Sequence, residues 1–170
     1  MICELEDPFV LVTTKKITNI YQILRLLEGT VKSGRPLFIV ADDIEGEALT
    51  TLIMNRIQGR LKVCAIKAPG FGGNRFEILK DIAVLTNSQP ITDETGDCLE
   101  ELALIPGVIG SAKKIIVGKD STTIVDGAGD KADVTARINF IESQILEADS
   151  EYVKEKLQAR VEQLLGTHPV

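Results

Sequence analysis

The sequence predicts an α/β fold of mixed β-sheets flanked by helices, and three stretches predict it. The first is a run of alternating patterns: an apolar strand over 9–14, a helix over 20–32, a strand over 37–41, a helix over 45–58 and a strand over 61–66. Strand, helix, strand in that length is a βαβ unit, which demands a parallel pair joined by a right-handed crossover. The second is a pair of β-rich runs, 113–117 and 122–125, separated by Gly118-Lys119-Asp120-Ser121, the spacing of an antiparallel hairpin. The third is the helical periodicity from 130 to 165, broken near Ala148-Asp149-Ser150.

Taken in order, Glu6-Asp7-Pro8 is a turn and Phe9-Val10-Leu11-Val12 opens a buried strand. Thr18 offers an N-cap for the first helix. Ser33-Gly34-Arg35-Pro36 closes it, with glycine just past the end and proline beyond. On a 100° wheel Ile20, Ile23, Leu24, Leu27 and Val31 gather within about 100° as a core face, widened by Tyr21 and Leu26. Asp42 and Asp43 precede the second helix, whose first turn carries Glu45 and Glu47 at the positive end of the helix dipole. Its apolar residues, Ala48, Leu49, Leu52, Ile53, Met54 and Ile57, cover roughly 240° of the wheel, more than one buried stripe needs. Beyond the glycine loop 70–73, Asn74 can cap a helix that buries Phe76, Leu79, Ile82, Ala83 and Leu85. Residues 87–92 read as a short return strand. The stretch 95–110 is the least legible, with Pro106-Gly107 marking a turn. In the helical end, Asp149 or Ser150 can cap the second helix.

Length suits one domain over 1–170, enough chain to bury about 70% of its unfolded surface. A balance of 19 basic against 25 acidic residues, with no basic run, argues against general nucleic-acid binding. Cys3, Cys64 and Cys98 are odd in number and lack CxxC spacing, so neither a disulfide framework nor a zinc site is expected, and a reducing compartment fits. No run of 18 apolar residues and no signal-peptide pattern occurs, so no membrane partner is expected and the chain reads as soluble and unsecreted.

Several groups carry candidate chemistry. Asp42, Asp43 and Glu45, with Glu47, follow a strand, where α/β enzymes place Mg²⁺ ligands or catalytic carboxylates. The same spacing serves capping, dipole compensation or intersubunit ion pairing. Gly127-Ala128-Gly129-Asp130-Lys131-Ala132 imitates GxGxxA, but it follows a hairpin strand, and Asp126 and Asp130 would face a pyrophosphate, so turn glycines are the reading. Gly70-Phe71-Gly72-Gly73 could cradle an anion, yet no GKS or GKT follows. His168 is the single histidine and is the third residue from the end, which leaves no Ser/His/Asp or Cys/His arrangement without a terminal tail. The apolar excess of the second helix has two readings: a helix sandwiched between sheet and neighbours, or an exposed binding groove. Thr50, Thr51, Asn55 and Arg56 interrupt the arc and suggest partial solvent contact.

Three long motifs then carry a family resemblance. Lys15-Lys16-Ile17-Thr18-Asn19-Ile20, the run from Pro36 through Ala41-Asp42-Asp43-Ile44-Glu45-Gly46-Glu47-Ala48-Leu49, and Val63-Cys64-Ala65-Ile66-Lys67-Ala68-Pro69-Gly70-Phe71-Gly72 resemble the apical domain of group I chaperonins, the GroEL type, the 60 kDa heat-shock protein family. The likeness continues through Asp81-Ile82-Ala83-Val84-Leu85-Thr86, Lys119-Asp120-Ser121-Thr122-Thr123-Ile124 and 152–161, in collinear order.

The resemblance implies two parallel-lying helices forming an exposed apolar groove that holds non-native polypeptides and then accepts the co-chaperonin mobile loop. Position by position, the groove falls on Leu24 and Leu27 of the first helix and on Leu49, Ile53, Met54 and Asn55 of the second. Unfolded chains share little except exposed apolar side chains, so a shallow groove containing a polarizable methionine can accept many sequences. The resemblance further implies a bacterial cytoplasmic, mitochondrial or plastid parent that forms seven-membered, ATP- and Mg-dependent folding rings. The chain itself reads as a monomeric apical fragment without catalytic residues, cofactor or metal, lacking the family's opening apical segment and its intermediate and equatorial domains. Departures occur at Gly73-Asn74-Arg75-Phe76, where the family carries more charge, and between Gly96 and Gly110, longer by about two residues. The alternatives are a Mg-dependent α/β enzyme using Asp42, Asp43 and Glu45, or a divergent chaperonin paralogue with altered clients.

Overall fold

The computed structural model describes residues 3–57, 59, 62–70, 72–92, 107–118 and 121–166, apart from the side chains of Asn55, Arg56 and Gly72. Its strands are β1 (Cys3–Glu6), β2 (Phe9–Val12), β3 (Lys16–Ile17), β4 (Leu37–Ala41), β5 (Asp43–Ile44), β6 (Val63–Lys67), β7 (Gly110–Val117) and β8 (Thr122–Gly127). The helices are α1 (Leu24–Ser33), α2 (Gly46–Ile57), α3 (Gly72–Thr86), α4 (Lys131–Glu147) and α5 (Glu151–Leu165).

The main sheet runs β1-β7-β2-β4-β6, with β8 also paired to β7. The βαβ expectation holds: β2 is parallel to β4, Leu11 opposite Ile39, and β4 is parallel to β6, Ile39 opposite Ala65. β7 then joins β2 antiparallel and folds back on β8, with Val117 opposite Thr122. All five residues of β4 are buried, as a central strand covered on both faces requires. The two-residue period divides its side chains. Leu37, Ile39 and Ala41 join Leu11 and Val63 under α1 and α2, whereas Phe38 and Val40 join Val10, Val12 and Cys64 under α3.

Five local expectations change. The first helix is not continuous from residue 20: Ile20–Gln22 form a 3-10 turn and α1 begins at Leu24. Its cap is Asn19, not Thr18. Asn19 Oδ1 accepts from Tyr21 N at 2.9 Å while Gln22 Oε1 accepts from Asn19 N at 3.0 Å, a capping box that Thr18 sits too early to make. Restarting the helix rotates its wheel, so Leu26, Leu27 and Thr30 form the buried face and Val31 turns outward. The third helix starts at Gly72, ahead of the expected Asn74 cap. Residues 87–92 make one parallel bridge, Ile91 to Thr13, and no strand. Two pairings were not expected at all: β1 against β7, and β3 against β5, in which Lys16 lies opposite Asp43. Both are short strands whose partners are distant in sequence, which no local pattern reports. In the helical end Ser150 provides the cap, accepting from Val153 N at 3.4 Å. Cys98, the lengthened 103–106 stretch and His168 lie outside the described residues.

Candidate apolar binding surface

α2 is seated on the sheet by one narrow stripe. Ala48 and Leu52, one turn apart, enter the core with Ile44 below them. Leu49, Ile53 and Ile57, displaced by one residue and again four apart, follow the flank of the helix, and Met54 extends the apolar surface beside them. Ile53 is 48% exposed, Met54 50% and Ile57 75%. Among the described residues, the apolar excess of this helix is therefore turned outward.

α1 rests on the same cluster through Leu26 and Leu27, and the 3-10 turn before it lies against α2. Leu24 is half-buried, and Val31, a heptad further on, is 53% exposed, as is much of Tyr21. Leu27 differs from the other expected groove residues. It is 4% exposed and belongs to the core, because it shares the inward face of α1 with Leu26 and Thr30. Asn55 lies on α2 and its side chain is outside the described set. Among the described residues, the eleven exposed large apolar side chains divide between two places only. Tyr21, Val31, Leu49, Ile53, Met54 and Ile57 belong to the layer of α1 and α2, and Phe140, Leu146, Tyr152, Val153 and Leu165 to α4 and α5. Ile57 and Val31 were absent from the expected site, although the i+4 step from Ile53 points to the first.

The carboxylates that could have held Mg²⁺ are dispersed into structural roles. Asp42 Oδ1 accepts from Arg75 Nη1 at 2.6 Å, and Arg75 Nε donates to Gly70 O at 3.1 Å, so this arginine ties the end of β4 to the start of α3. Asp43 Oδ1 accepts from Ile44 N at 2.9 Å within β5. Glu45 is exposed, and among the described residues no three acidic, histidine or cysteine side chains gather as a metal would require. The ion pair also shows that the altered loop 73–76 retains charge pairing. Gly127 and Gly129 serve close approach, not phosphate: a Cβ on either would collide with the Leu85 or Val84 carbonyl at the end of α3, and Gly129 N donates to Leu85 O at 2.9 Å.

A buried ionic cluster, unseen in the sequence, lies on the opposite side of the sheet. Asp81 of α3 is 3% exposed and its Oδ2 accepts from Arg160 Nε of α5 at 2.7 Å. Its Oδ1 accepts from Arg137 Nε of α4 at 2.8 Å and from Arg160 Nη2 at 3.1 Å. Arg137 Nη2 also reaches Glu77 Oε2 at 2.7 Å. Burial works to raise the Glu77 pKa, but the Arg137 hydrogen bond and the charges of Lys80 and Arg137 outweigh it and hold this carboxyl below its ordinary value. Burial likewise works to lower the Arg137 pKa, and its bonds to Asp81 and Glu77 reverse that and raise it. The only sequence signal was the i,i+4 pair of acids on one helix; their partners lie more than fifty positions away.

No protein-family model matches the chain. Among solved structures it is similar to the chaperonin gp146 from the bacteriophage EL 2 (Pseudomonas aeruginosa), solved in the presence of ATP-BeFx, at 19% identity and a TM-score of 0.72. That superposition covers 96% of this chain and 33% of gp146, so the chain spans about a third of the length of the chaperonin it matches. The mixed sheet and its flanking helices thus form a chaperonin-like fold.

Proposed function

We propose that this chain is a polypeptide-binding module of the chaperonin apical type, capturing non-native polypeptides on the apolar surface of α1 and α2. The observation that carries the reading is the exposure of Leu49, Ile53, Met54 and Ile57 along a helix whose other side, Ala48 and Leu52, is fully committed to the core. Leu24 would form the opposite wall and Leu27 its apolar floor, with Asn55 contributed by the same helix as Ile53. In gross terms, 200 Å² of apolar contact contributes about 5 kcal/mol before ordering costs, enough for weak capture that multiplies when several subunits hold one client. The same surface would accept the mobile loop of a co-chaperonin. In a longer parent the module would belong to a homo-oligomeric ring whose ATP and Mg²⁺ chemistry resides outside this chain.

The experiment is suppression of aggregation of a chemically unfolded enzyme by the wild-type chain and by Leu49→Glu and Ile53→Glu, with Leu146→Glu on the distant α4 as control. Loss with the first two and retention with the third supports the assignment. Equal capture by all four proteins sinks it.

A further inference from the structure

The end of the chain is built as a separable unit. Ile141, Val161 and Leu164, with Ile138, Ile145 and Leu157 around them, form a third small core that the two sheet-face clusters do not share. α4 and α5 lie chiefly on each other and on α3, where Leu85 supplies the apolar contact. On the side of β8 a cleft opens between the strand, at Thr123 and Ile124, and the helices, at Val134, Ile138 and Leu164. The connection into α4 passes through Gly127-Ala128-Gly129, directly after Asp126 at a positive φ of 47°.

The side-chain contacts that fasten this unit are mainly ionic, and the connection before it is anchored by Ala128 N donating to Ser111 O at 3.0 Å and Gly129 N to Leu85 O at 2.9 Å. One arginine from each helix, Arg137 and Arg160, converges on the single buried carboxylate of Asp81. Such a cluster is highly directional when closed, but its net contribution is small, because charges that separate regain their hydration. An apolar contact has no equivalent gain on opening. We propose that α4 and α5 swing away from the sheet as one latched hairpin, hinged beyond these anchors at Gly129-Asp130 and pinned by Asp81, uncovering Leu85, Ile138 and Leu164 while the two sheet-face cores stay intact. This inference does not depend on the client-binding assignment.

Native-state hydrogen exchange, read amide by amide, tests it on the whole chain. In the wild-type protein the amides of α4 and α5 should share one opening constant, larger than that of β2 and β4. Asp81→Asn leaves two buried guanidinium groups facing a neutral amide, so exchange throughout α4 and α5 should accelerate on the order of a hundredfold with β2 and β4 unchanged. Arg137→Lys keeps the charge and loses the fork; it should accelerate the same amides by a smaller factor. The proposal is overturned if β2 and β4 accelerate by the same factor as the helices. It is equally overturned if the wild-type α4 and α5 exchange with unrelated constants, a result that stands even where a variant fails to fold.

Discussion

Two adjacent residues of α2 should give opposite results when truncated. Leu52 is 4% exposed in the core and Ile53 is 48% exposed beside it. With a full residue exposure of roughly 180 Å² for isoleucine, Ile53 offers a client about 85 Å² of surface, worth about 2 kcal/mol at 25 cal/mol per Å². Side-chain ordering removes part of that, leaving roughly a tenfold loss of affinity for an unfolded chain on Ile53→Ser. Its unfolding free energy should fall by only about 1 kcal/mol, for the part of the side chain already buried against the helix layer. Leu52→Ala, by contrast, deletes core volume and should cost about 2–5 kcal/mol of stability while leaving the binding side chains in place. Urea unfolding followed by circular dichroism measures the stability, and fluorescence titration with a permanently unfolded, reduced and alkylated protein measures the affinity. If Ile53→Ser lowers the urea midpoint as far as Leu52→Ala does, or if it binds as tightly as the wild type, the separation of an outward binding stripe from an inward core stripe is wrong.

Other outcomes follow from the same contacts. Gly29, inside α1 with open space where its Cβ would be, should gain about 1 kcal/mol on Gly29→Ala, whereas Gly129→Ala meets the Val84 and Leu85 carbonyls and should lose about 1–3 kcal/mol, both read by urea unfolding. Asn19→Ala removes the cap of the 3-10 turn and should cost about 1 kcal/mol, with Asn19→Asp restoring most of it. The depressed pKa of Glu77 means that its contribution is fully present above the unfolded carboxylate value of about 4.3 and is lost as pH falls through the lower folded value. The melting temperature should therefore fall between about pH 5 and pH 3, and Glu77→Gln should flatten part of that fall; an unchanged profile would show that the Arg137 contact does not act on stability.

What could be read before folding was periodic. The strand over 37–41 was legible because five consecutive apolar residues bounded by Pro36 and Asp42 have few other uses, and its parallel neighbours followed from the helices between them. The excess of apolar residues on α2 was legible for the same reason, as an angular spread on a wheel. Which part of that spread would face solvent was not. Val31 was placed in the core face by a continuous wheel, and a three-residue 3-10 turn was enough to rotate it out. Leu27 went the opposite way, into the core beneath the surface it was expected to line.

By itself, then, the sequence determined the α/β class, the βαβ order, the hairpin and the presence of a helix with more apolar surface than a sheet can cover, because each is written in spacings of two to four residues. Only the tertiary structure decided that Leu49, Ile53, Met54 and Ile57 are turned outward, that Asp42 is occupied by Arg75, and that Asp81 gathers Arg137 and Arg160. Those outcomes depend on which distant surfaces come together and on the energetics of burying charge, which act between residues that no local period connects.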